Sequence, residues 1–194
     1  MISSDKELGR KLREVKDCKV RTLSSRDDHV LNKRQESYEV GSEANNEQPN
    51  VWIPDKVLPG YKEFMMEFYW ECSKASHRIL AAMGTGLRLG DPEFFLKFHS
   101  GHNNQLRLLH YPPIPAADLQ DGTSARMPVH SDWGSITLLF QDDCGGLEIE
   151  RPDAPGHFMK ATPYENAMIV NVGDLLMRWS NGLFHFQKFI DQLN

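Results

Sequence analysis

The feature that most constrains the fold is a change of texture near residue 100. Before it, Tyr61, Phe64, Met65, Phe68, Cys72, Ala75, Ile79, Leu80 and Met83 recur at three- and four-residue spacing, the period of one helix face. At about 3.6 residues per turn this makes a helix of about six turns, following Pro59-Gly60 and with Gly84 as a stop signal. Asp91-Pro92-Glu93 sets an N-cap residue before a proline at the first helical position, opening a short helix through Phe94, Phe95 and Phe98. After residue 100 the apolar runs shorten and turn residues separate them. Leu106–Tyr111, closed by Pro112-Pro113, predicts a strand ending in a turn. Ser135–Gln141 is an apolar run of strand length, Asp142–Gly146 a turn, and Leu147–Glu150 alternates with period two. Those two runs together predict a hairpin. Phe158–Ala161 and Ala167–Asn171 are two further short strands. Helices first and strands afterwards predict an α+β fold, a helical segment packed on an antiparallel sheet or barrel.

Length and charge narrow the function classes. A chain of 194 residues suffices for an ordinary domain with its own apolar core. Its formal charge of −5 argues against nucleic acid or an anionic membrane surface as partner. The basic residues near the start (Lys6, Arg10, Lys11, Arg13, Lys16, Lys19, Arg21) are interspersed with acidic ones, the pattern of a solvated face. Cys18, Cys72 and Cys144 form no paired framework, which fits a reducing compartment. No apolar run reaches the roughly 20 residues a membrane span needs, and the start lacks the apolar stretch of a secretory signal. The expected location is the cytoplasm. Residues 1–50 are polar and weakly periodic, with Ser42–Pro49 an exposed loop.

The chemistry concentrates at His130-Ser131-Asp132. In extended backbone, residues two apart project to the same side, so an imidazole and a carboxylate offer two ligands to one metal. The tripeptide alone also suits a polar pair in a surface loop. Its setting weighs on the metal side: Trp133-Gly134 and a strand-length apolar run follow at once, which puts the pair at the mouth of a sheet, a recurrent place for ligand sites.

The segment His130-Ser-Asp-Trp-Gly-Ser-Ile-Thr-Leu-Leu-Phe-Gln-Asp-Asp-Cys-Gly-Gly-Leu-Glu-Ile149 resembles the HxD segment of the isopenicillin N synthase-like Fe(II)/2-oxoglutarate-dependent dioxygenases. Val170–Asn181 is similar to the strand and turn before that family's distal histidine, and Leu106–Pro113 to the strand before its metal site. Glu36–Gly41 and the long helix resemble its N-terminal region, so the likeness runs from about residue 34 to residue 184. The resemblance implies a double-stranded β-helix (jelly roll) with supporting N-terminal helices. Residues 1–99 would form the N-terminal helical region and residues 100–194 a partial jelly-roll core. It implies Fe(II) bound by His130 and Asp132 in the family's two-histidine, one-carboxylate arrangement. 2-Oxoglutarate and O2 would be co-substrates, with Tyr111 beside 2-oxoglutarate. Tyr111 also reads as an aromatic packing over the turn at its strand's end. The implied function is oxidation of a small organic metabolite by hydroxylation, desaturation or ring closure.

The chain departs from the family after Phe184. There the family continues to a third iron ligand in a His-Arg-Val-like segment, then to an Arg-x-Ser pair that binds 2-oxoglutarate. This sequence reads His185-Phe-Gln-Lys-Phe-Ile-Asp-Gln-Leu-Asn194. The expectation is therefore an incomplete jelly roll, truncated at both ends, and a catalytically inactive product is the alternative reading. His185 falls about four residues ahead of the ligand position, roughly 13 Å along a strand, and reads as a tail residue. His102, His110 and His157 lie outside the ligand positions. Arg107 is the nearby basic residue that could stand in for the missing arginine. Phe184, Phe186, Phe189, Ile190 and Leu193 are spaced to cover exposed apolar surface as a helix.

Overall fold

The computed structural model describes residues 32–33, 36–99, 101, 103–112, 124–125 and 127–191. The basic residues between 6 and 21, Cys18, His102 and Leu193 lie outside the described residues. What is described falls into two compact units, one of residues 36–112 and one of residues 32–33 and 124–191. In chain order, β1 (Asn32–Lys33) belongs to the second unit, and β2 (Glu36–Val40) opens the first.

In the first unit β2 pairs antiparallel with β3 (Leu106–His110), Tyr38 opposite Leu108 and Val40 opposite Leu106. Period-two alternation turns Tyr38 and Val40 inward, where they are buried with Ile53, Tyr61 and Met65. α1 (Tyr61–Gly86) lays Tyr61, Met65, Tyr69, Ser73, Leu80 and Gly84 on its buried face. That stripe is rotated slightly from the expected one: Phe64 is exposed, and Tyr69 and Ser73 are buried. Gly84 does not stop the helix, which runs to Gly86. A Cβ on Gly84 would stand 2.3 Å from the Pro92 carbonyl oxygen, so glycine is required there for close approach rather than for termination. Phe94–Phe98 forms a 3-10 helix. Its N-cap is Glu93, not the expected Asp91, which lies two residues ahead with its carboxylate accepting from the Glu93 N–H and its carbonyl from the Phe94 N–H. The Asp91 carboxyl is held below the usual range, first by Lys97 and then by that backbone N–H.

The second unit contains β4 (Ser124–Ala125), β5 (Met127–His130), β6 (Ile136–Leu139), β7 (Leu147–Glu150), β8 (Phe158–Lys160) and β9 (Ile169–Val172). α2 (Asp174–Trp179) and β10 (Phe189–Asp191) follow. β4 pairs parallel with β1. A four-stranded antiparallel sheet runs β5-β10-β7-β8, and β6 pairs antiparallel with β9 in a separate sheet.

Two expectations are corrected here. The runs at Ser135–Gln141 and Leu147–Glu150 do form strands but not a hairpin with each other: β6 pairs with β9, and β7 with β8 and β10. Asp142–Gly146 carries the chain between sheets instead of folding it back, through left-handed conformations at Gly145 (φ 72°) and Gly146 (φ 99°). Nor is the tail helical over its described part. Phe189–Asp191 is a strand between β5 and β7, where both of its edges meet hydrogen-bonding partners.

Candidate metal centre

His130 ends β5 and Asp132 stands two residues on, in the turn before β6. The start of α2 fixes that turn. The Gly173 N–H donates to the Ser135 carbonyl (2.9 Å), Asp174 to Asp132 (2.8 Å) and Leu175 to Gly134 (3.1 Å). This packing requires glycine, because a Cβ on residue 173 would lie 2.3 Å from the Gly134 oxygen and 2.8 Å from the Asp132 oxygen.

Each ligand candidate has one ligating atom turned out and the other engaged. His130 Nδ1 lies 3.0 Å from the Pro128 carbonyl oxygen. A carbonyl only accepts, so Nδ1 carries the hydrogen and the lone pair rests on Nε2, the tautomer of a metal-ligating imidazole. Asp132 Oδ2 accepts from Thr137 Oγ1 (2.6 Å) and from Asn171 Nδ2 (2.8 Å). Thr137 and Asn171 are direct cross-strand partners on β6 and β9, so their side chains rise on one face and reach the carboxylate together. Asn171 is buried, and its Oδ1 has no hydrogen-bond partner. His130 Nε2 and Asp132 Oδ1 are left 3.8 Å apart on a partly open surface. Two right-angle ligands with bonds of about 2.1 Å would stand about 3 Å apart, close to the spacing these two atoms hold.

The third face does not fit. Phe189, four residues beyond His185, is the β10 residue in register with His130. Its ring centroid is 6.5 Å from that of His130, and the side chain is 4% exposed. Among the described residues, no three His, Cys, Asp or Glu side chains are grouped to hold a metal, so His185 does not join the pair. His130 and Asp132 could supply two ligands of a facial triad, and among the described residues no third joins them, the apolar ring of Phe189 lying beside His130 instead.

The other residues singled out in the sequence are placed as follows. Tyr111 directly follows β3 in the first unit and is half-buried. His110 pairs with Glu36 at 2.7 Å. His157 precedes β8, and its N–H donates to the Ala154 carbonyl. Arg107 is engaged by Glu39 at 2.8 Å across the strand pair and by Gln105, so its charge is already countered. Sequence reading passed over Thr137 and Asn171, and took Phe189 only as part of an apolar tail. The available signal for the first two was a polar residue inside each of two apolar strand runs, Ile-Thr-Leu-Leu and Ile-Val-Asn-Val.

Residues 102–189 match the model of the 2OG-Fe(II) oxygenase superfamily. The chain is 40% identical over 148 residues to a proline hydroxylase, buaE, of Petromyces alliaceus, covering 76% of this chain and 46% of that one. It is 42% identical over 149 residues to the 2-oxoglutarate-dependent dioxygenase frbA of Dothideomycetidae sp. (strain 11243), covering 76% and 44%. Among solved structures, a full-length Neurospora crassa protein in complex with alpha-KG superposes with a TM-score of 0.77 at 36% identity, covering 84% of this chain and 50% of that one. The chain belongs to the Fe(II)/2-oxoglutarate oxygenase superfamily, an enzyme family whose cofactor is Fe(II) and whose co-substrates are 2-oxoglutarate and O2. Its fold is an incomplete double-stranded β-helix. The chain spans about half the length of the curated relatives it matches. Among the described residues no helix is long and apolar enough to cross a membrane.

Proposed function

We propose that this protein derives its role from Fe(II)- and 2-oxoglutarate-dependent oxidation of a small organic metabolite by hydroxylation, desaturation or ring closure. His130 and Asp132 are its iron ligands, and Tyr111 belongs to the co-substrate site. One observation carries the ligand assignment: Pro128 takes His130 Nδ1, Thr137 and Asn171 take Asp132 Oδ2, and Nε2 and Oδ1 remain 3.8 Å apart. The relatives' names and the neighbours' ligands, thymine in one of them, suggest a small-molecule substrate. The net charge of −5 speaks against nucleic acid or an anionic membrane as partner. The wide spacing of Cys18, Cys72 and Cys144 along the sequence supports a reducing, cytoplasmic location.

A second reading is favoured by Phe189. With an apolar ring opposite His130 and no third ligand among the described residues, the chain as it stands is catalytically inactive. The purified chain supplied with Fe(II), ascorbate and 2-oxoglutarate is expected to release no succinate above the enzyme-free background. Succinate formation that disappears in Asp132→Ala would refute the inactive reading and leave the oxygenase reading standing.

A further inference from the structure

We propose that the first unit carries a binding pocket for a small neutral molecule bearing an amide group, held by the side chains of Gln48, Asn103 and Asn104. The proposal does not depend on His130 and Asp132 being metal ligands.

A cavity of about 390 Å³ opens where β2 and β3 meet the loop from Gly41 to Val51, all within that unit. The volume is in the range of small-molecule sites. Its walls are fixed by their own hydrogen bonds. The Asn50 amide ties both backbone groups of Gly41, its oxygen accepting from the N–H at 2.8 Å and its nitrogen donating to the carbonyl at 2.9 Å. Asn45 Oδ1 accepts from the Glu47 and Gln48 N–H groups, each at 3.1 Å, and the Tyr38 hydroxyl donates to the Val51 carbonyl. Asn45 and Asn50 are therefore committed to holding the loop. Gln48, Asn103 and Asn104 also line the cavity, and among the described residues no hydrogen bond engages their side chains. Gln48 is bonded through its backbone N–H, and Asn104 through its carbonyl, which takes the Tyr69 hydroxyl.

Charge decides the class of ligand. Glu39 is the charged residue of the lining, and it is neutralised: Arg107 stands 2.8 Å from Oε1, and Gln105 Nε2 donates to Oε2 at 2.8 Å. A pocket without uncompensated charge gives an ionic ligand nothing in exchange for its lost hydration. Each unengaged carboxamide presents a C=O acceptor beside an N–H donor, the complement of the same pair in a ligand's amide. Walls already held in place spare most of the ordering cost of binding.

The test is titration of the isotopically labelled full chain with 2-pyrrolidinone, followed by NMR at the side-chain NH2 signals. Pyrrolidinium, cyclopentanecarboxylate and glycerol serve as cationic, anionic and polyol probes. The Gln48, Asn103 and Asn104 signals should shift saturably with 2-pyrrolidinone, at about the millimolar affinity open to so small a probe. The other probes should bind at least tenfold more weakly. Gln48→Ala and Asn104→Ala each remove a side chain that holds nothing in the fold, and each should weaken 2-pyrrolidinone binding at least threefold. Glu39→Gln leaves Arg107 uncountered, so cyclopentanecarboxylate should bind that variant at least tenfold tighter than it binds wild type. Should Glu39→Gln unfold, the two alanine variants decide alone. Shifts that do not saturate, binding of glycerol or of either ion equal to that of 2-pyrrolidinone, or wild-type affinity in both alanine variants overturns the proposal. A folded Glu39→Gln that gains nothing for the anion overturns the assignment of a neutral ligand.

Discussion

Asn171 holds one oxygen of Asp132 through its amide N–H, while its own oxygen is buried without a partner. A buried donor of this kind is hard to replace. Asn171→Ala leaves the carboxylate with Thr137 alone, and losing a hydrogen bond to a charged group costs about 1.5–3 kcal/mol. Asn171→Asp preserves shape but sets a second carboxylate where a donor stood 2.8 Å from Asp132 Oδ2. Two close carboxylates resist double ionisation, and protonating one relieves the repulsion. Urea unfolding should therefore rank Asn171→Asp below Asn171→Ala at pH 7, with the gap narrowing towards pH 4. A gap independent of pH would mean that Asn171 does not face a charged Asp132. That His130 and Asp132 lie side by side was legible, because residues two apart in extended backbone project to the same side. Phe189 was not legible. Counting along the chain showed that His185 falls four residues short, but only strand pairing shows which side chain faces His130.

At the scale of elements, α1 was legible because its period of 3.6 is a local property, while strand partners are not. Ile136–Leu139 and Leu147–Glu150 satisfy the strand pattern whether or not they pair with each other, and a glycine-rich link suits a hairpin as well as a crossover between sheets. At the tail, Phe186, Phe189, Ile190 and Leu193 have helical spacing, yet pairing on both edges of Phe189–Asp191 prevails over it. Gly84 shows the same limit in a helix, since spacing cannot tell a stop from a close approach. Gly84 and Gly86 lie in one helix, and they should respond oppositely to alanine. At Gly84 the new methyl meets backbone at 2.3 Å, whereas at Gly86 nothing lies within 4 Å. Overpacking of that kind costs about 1–3 kcal/mol, while Gly→Ala in an unstrained helical position gains about 0.4–1 kcal/mol. Thermal unfolding should show Gly84→Ala melting below wild type and Gly86→Ala at or above it. Equal shifts in the two variants would remove the packing role given to Gly84.

At the scale of the whole molecule, the two units differ in how much core they own. Among the described residues, eight of the ten buried apolar side chains (Tyr38, Val40, Ile53, Tyr61, Met65, Tyr69, Leu80, Phe95) belong to the first unit. The second unit has Leu176 and Phe189. It leaves Trp133 89%, Leu183 71%, Met159 54% and Phe140 53% exposed. Burying a large apolar side chain contributes about 1.5–3 kcal/mol, so six more of them give the first unit a gross advantage on the order of 10 kcal/mol. The family and fold class were legible at this scale because several motifs fall in the right order along the chain. The uneven core was not, because an apolar strand pattern looks the same whether or not anything covers its inner face. Native-state hydrogen exchange reads this difference directly, since segments with few buried contacts open at lower free energy. Followed by mass spectrometry, amides of β6, β9 and β10 should exchange well before the central amides of α1. Protection in Ile136–Leu139 and Ile169–Val172 equal to that in Tyr61–Gly86 would mean the second unit is as well packed as the first. The same experiment on Phe189→Ala should speed exchange in β5 and β7, the strands β10 joins, and leave α1 unchanged. That outcome would make Phe189 the ring that holds this sheet together.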